Sequence, residues 1–218
     1  MRTLTHALLT LLLLLPAAPL LAGMQEELAS VQKDWAVANY RTPPDGQKKA
    51  FETLVAKARR LAQAYPDRAE PKIWLAIVLS TDAGVNGGFS ALSKVKEARR
   101  LLEEAERIDP KALDGSVYTS LGSLYYQVPG WPLAFGDDEK AGRYLKKALE
   151  INPDGIDPNY FYGDYLLSQD RPREAVHYLE KALAAPPRPN RPLADAGRRE
   201  EARKLLERAR ALSKEARS

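Results

Sequence analysis

Cysteine is missing from all 218 residues, which excludes disulfides and thiolate metal sites. Histidine occurs twice. One of the two, His177, stands alone beside Tyr178 in a helical stretch, a setting commoner for surface or packing roles than for a general base. No serine sits in a nucleophile-elbow pattern, and Gly87-Gly88 has no following Lys-Ser/Thr with which to cradle a phosphate. The acidic clusters, Asp137-Asp138-Glu139 and Asp154 with Asp157, lack the spacing of a calcium loop, and each lies at a helix start where capping accounts for it. Net charge is only +4, with basic and acidic residues alternating along helix faces. The more basic tail, 188–217, has no interleaved aromatics on which bases would stack. These absences predict a protein with no catalytic residues, no metal, no cofactor and no nucleic-acid partner. Alternating strand patterns are lacking too.

Long hydrophobic runs are equally scarce. The longest, from Ala7 to Leu15, is broken by Thr10 and ends at Pro16 and Pro19, short of the ~18–20 residues that a spanning helix needs. With Arg2 in front and the small residues Ala22-Gly23 behind, this layout predicts a cleaved signal peptide over 1–22. The absence of cysteine near the exit removes the acceptor for a lipid anchor. The expectation is a periplasmic or secreted protein with no stable membrane insertion.

What remains is helical. Apolar residues recur at three-to-four-residue spacing, predicting helices over 26–39, 47–64, 70–81, 90–108, 114–127 and 137–152, a seventh that starts at Asp157-Pro158, and two more over 172–185 and 195–212. Loops fall at 41–46 and 82–89, at the proline- and glycine-rich 128–136 and at the connector 186–192. Two stretches superimpose 34 residues apart. Ala141, Leu145, Ala148 and Pro153 become Ala175, Leu179, Ala182 and Pro187, and a weaker copy reads Ala98, Leu102, Ala105 and Pro110. Ahead of them stand Leu121-Gly122-x-x-Tyr125, Tyr162-Gly163-x-x-Leu166 and Leu75-Ala76-x-x-Leu79. Helix axes approach closely only where one side chain is Gly or Ala, so these small residues mark helix crossings.

This pattern resembles the tetratricopeptide repeat (TPR). The resemblance implies an all-α, right-handed α-solenoid with repeats at 69–112, 115–155 and 156–189. The domains expected are a degenerate N-terminal helical pair (23–67), the repeats (68–189), and a connector with a C-terminal capping helix (190–218), since end units present a polar outer face. It also implies a non-catalytic scaffold whose concave face, built from first helices, binds a protein partner. Carried over by position, that face comprises Ile73, Ile77, Thr81, Thr119, Ser123, Tyr126, Tyr160, Asp164 and Ser168. It lacks the basic residues of a carboxylate clamp, so an extended or helical segment docked through apolar and tyrosine contacts fits better. Two insertions inside helix pairs, 82–91 and 128–136, are expected to bring Phe89, Trp131, Leu133 and Phe135 together in an edge lobe. The block Tyr125-Tyr126-x-Val128-Pro129-Gly130-Trp131-Pro132, continued by Phe135-Gly136-Asp137, is similar to exported bacterial TPR proteins, including the T component of TRAP-type uptake systems. That likeness implies an alternative role: docking a solute-binding protein or holding a small hydrophobic ligand.

Overall fold

The computed structural model describes residues 18–215. Their chain forms nine helices: α1 (Ala18–Tyr40), α2 (Pro44–Ala64), α3 (Ala69–Asn86), α4 (Phe89–Ile108), α5 (Ala112–Gln127), α6 (Asp138–Ile151), α7 (Ile156–Ser168), α8 (Pro172–Ala184) and α9 (Pro192–Glu215). No strand occurs among the described residues; Gly130 and Gly136 make one isolated bridge. Residues 1–17 of the expected leader lie outside the described residues. The backbone of 18–22 already belongs to α1, and the apolar core begins at Met24.

Successive helices pair as α1/α2, α3/α4, α5/α6 and α7/α8, and the first members α1, α3, α5 and α7 lie side by side. The small residues do what their spacing predicts. A Cβ on Gly122 would stand 2.5 Å from Leu145 Cγ, and one on Gly163 2.7 Å from Leu179 Cγ. Both leucines are fully buried, each contributing about 1.5–3 kcal/mol of apolar burial. Asp137 caps α6, its Oδ1 accepting the Lys140 amide at 2.9 Å.

Three local expectations are corrected. The first insertion is not a loop: α3 continues through Gly84 to Asn86, and only Gly87-Gly88 separate it from α4. Buried Asp82 holds this extension, pairing with Lys94 of α4 at 2.7 Å and accepting from the Asn86 amide. Second, the helical part of α5 starts at Ser116, because Leu113, Asp114 and Gly115 all take positive φ (52°, 54° and 73°) in one left-handed turn. Third, α9 does not simply shield the last repeat. It packs on α8 and α7 and also reaches α1.

Candidate functional site

Contact between α9 and α1 turns the inner face of the array into a chamber. Close approach is set by Gly197, where a Cβ would lie 2.5 Å from the Tyr40 ring. One turn on, the Tyr40 hydroxyl donates to Glu201 at 3.2 Å. Behind this seam is a charge cluster centred on Asp157, which the sequence reading assigned to capping. It makes no cap. It accepts instead from Arg198 Nε of α9 at 2.9 Å and from Arg188 of the connector at 2.6 Å. Arg188 also binds Asp195 through its backbone amide and Nε, and Arg198 binds Glu201 at 2.7 Å. Burial works to raise the Asp157 carboxyl, but Arg198, Arg188 and Arg191 together hold it well below the usual carboxylate range. The Arg198 guanidinium lies 4.4 Å from the Tyr160 ring centroid and 4.7 Å from that of Phe161. Burial pushes the Tyr160 phenol up to about 12, against the opposing pull of Arg198.

The space, open to solvent on one part of its boundary, is about 680 Å³, within the ~300–1,000 Å³ of small-molecule sites. Trp35 of α1 and Trp74 of α3 meet edge to face at 6.0 Å on one wall, and Trp35 Nε1 donates to Thr81 Oγ1 at 3.0 Å. The α5 wall is hydroxyl-rich: Ser116, Thr119, Ser120 and Ser123. Tyr160 and Phe161 of α7 face in from the third side, and residues 186–191 with Arg198 and Glu201 close the fourth.

Of the positions expected on the concave face, Ile77, Thr81, Thr119, Ser123 and Tyr160 line this chamber. The other four do not. Ile73 is wholly buried in the core between helices. Tyr126 and Asp164 bind each other, hydroxyl to carboxylate at 2.8 Å, and tie α5 to α7 away from the cavity. Ser168 Oγ donates to the Tyr165 carbonyl within its own helix. Nor is the face free of basic residues, because Arg188, Arg191 and Arg198 arrive from outside the first helices.

The expected lobe does not assemble. Phe135 turns inward, edge-on to Tyr125 at 5.6 Å with the Arg99 guanidinium 4.4 Å from its centroid. Trp131 and Leu133 point the other way, 90% and 72% exposed. Phe89 opens α4, and its side chain lies outside the described residues. The loop backbone is pinned nonetheless: Gly136 N donates to Pro129 O at 2.9 Å and Asp137 N to Tyr125 O at 2.8 Å.

Trp35, Trp74, Arg188, Arg191, Arg198 and Glu201 also line the chamber, beyond the positions expected from the repeat pattern. The tryptophans fall on first helices and were readable as inward-facing. The charged four become neighbours of α1, α3 and α7 only through the return of α9, for which Gly197 among the charged residues of its first half is the one local sign.

Comparison with known proteins agrees with this architecture. The tetratricopeptide-repeat family pattern matches residues 133–154 and 156–189. No curated protein sequence matches the chain. Among solved structures, the TPR protein TTC0263 of Thermus thermophilus superimposes with a TM-score of 0.54 at 18% identity, covering 82% of this chain and 98% of that one. MamA (TM-score 0.45, 20% identity, 82% and 99% covered) and pilF of Pseudomonas aeruginosa (0.35, 17%, 86% and 90%) overlay too loosely to carry an argument. The chain carries tetratricopeptide repeats across 133–189, within an all-α array of the fold that this repeat builds.

Proposed function

We propose that the protein is an exported, non-catalytic scaffold that engages a protein partner through the edge loop between α5 and α6. The observation carrying this reading is Trp131, almost fully exposed beside exposed Leu133 on a loop whose backbone is hydrogen-bonded in place. A large aromatic left in solvent on a hydrogen-bonded backbone gives contact area with little backbone to order, the character of an interface hot spot. The chamber suits a folded partner less well, because α9 and the connector occupy what would be an open groove. Cross-linking in intact cells, read by mass spectrometry, tests the reading. The double variant Trp131→Ala/Leu133→Ala is expected to lose the principal cross-linked protein while its circular dichroism and melting temperature stay as in the parent. Retention of that protein would refute the loop as the docking edge. Export is tested by the same material: the isolated protein should begin near Gly23.

A second reading, an accessory role in periplasmic solute uptake that includes holding an apolar ligand, is favoured by the two tryptophans in the chamber wall.

A further inference from the structure

The chamber contains three arginines, and they are not equivalent. Arg188 and Arg198 are engaged by carboxylates on every side, through Asp157, Asp195 and Glu201. Arg191, three residues beyond Arg188 in the same connector, has none. No described carboxylate forms an ion pair with it, and its Nε is buried without a hydrogen-bond partner. Its guanidinium lies 4.9 Å from the Trp74 ring centroid, inside the cavity wall. Stacking on an aromatic face offsets part of the desolvation of a cation, but it satisfies none of the five N–H donors that a guanidinium presents in a planar fork. Burial, ahead of repulsion from Arg188 and Arg198 and against the pull of Asp157 and Asp195, lowers the Arg191 guanidinium to about 10.

We infer that the chamber is a binding site for a small organic monocarboxylate with an apolar body, its carboxylate received by Arg191 and its body lying between Trp35, Trp74 and Phe161. This deepens the ligand-holding half of the second reading above, and does not depend on docking at Trp131. The chemistry narrows the class from both ends. One unpaired guanidinium matches one carboxylate in bidentate fashion. A dianion finds no second free cation, since the remaining arginines are paired, and it meets Asp114 and Asp154 on the same lining; Asp154 is countered only at 3.7 Å, by Lys181. A purely apolar ligand would leave Arg191 Nε as it is, buried and unmatched. The α5 hydroxyls of Ser116, Thr119 and Ser120 supply polar contacts that carry no charge.

The test uses the whole exported chain with Trp131→Phe as background, so that Trp35 and Trp74 are the only tryptophans. Phenylacetate, 4-phenylbutyrate and decanoate are titrated by intrinsic fluorescence and calorimetry, each against its primary alcohol of equal length. At least one acid should saturate the signal with an affinity tenfold or more above its alcohol. Arg191→Gln should erase that preference, leaving acid and alcohol equal, and Arg191→Lys should keep part of it. Because Arg191 also covers Trp74, Ser120→Phe provides a second check: it fills the cavity without touching the cation and should abolish acid binding with the melting temperature unchanged. No acid exceeding its alcohol, or full preference surviving in Arg191→Gln, would overturn the assignment. Loss of partner cross-linking at Trp131 moves neither result, so the two readings fail separately.

Discussion

Gly122 and Gly163 do the same work in consecutive repeats, each letting a leucine of the second helix press against the backbone of the first. A methyl group cannot be added at Gly122 without displacing Leu145, which also approaches with its backbone nitrogen, 3.2 Å from the added carbon. Gly122→Ala should therefore cost about 1–3 kcal/mol through overpacking, read as a lowered midpoint in urea, and the double variant with Leu145→Ala should lose less than the sum of the two single losses because the two sites couple. Asp157 illustrates a different residue-scale effect. Replacing it by asparagine removes one of the two carboxylates that each of Arg188 and Arg198 engages, leaving Arg188 with Asp195 and Arg198 with Glu201, at a cost of about 1.5–3 kcal/mol. The sign of its pH dependence follows from its depressed titration. The stability it contributes is complete above the ordinary carboxylate value of about 4 and drains away as pH falls beneath it. The gap in melting temperature between the parent and Asp157→Asn should hold steady from pH 8 to 5 and shrink below pH 4.

Among elements, the legible and illegible parts divide by sequence separation. The α5/α6 and α7/α8 pairs were readable because every determinant lies within a 34-residue window: the glycine, the leucine it admits, the closing proline. The end of α3 was not. Gly84 and Gly87-Gly88 invite a break after Thr81, and only the pairing of buried Asp82 with Lys94, on the neighbouring helix, carries the helix on to Asn86. The edge lobe failed for a related reason. Four apolar residues near two turns look like a cluster, yet Arg99 on α4 draws Phe135 inward and leaves Trp131 outside. The seat of α9 was hidden most deeply, since Tyr40 and Gly197 are far apart in the chain. Gly197→Val should lift α9 from α1, and hydrogen exchange would show it as faster amide exchange across the first half of α9 with the α5/α6 pair still protected. Unchanged protection in α9 would mean that the Tyr40 contact does not hold the seam.

For the whole molecule, the contact between α1 and α9 departs from the behaviour of an open repeat array. Stacked repeats ordinarily touch only their neighbours and behave as a one-dimensional chain of local equilibria. Here the first and last helices share Tyr40, Gly197 and Glu201, so neither end is free to fray independently. The chamber consequently has no existence in a partial chain: three of its walls are made early, while the fourth waits for residues 186–201. On a ribosome those residues emerge after all the others that line it, so the fourth wall is added only when residues 186–201 have left the exit tunnel.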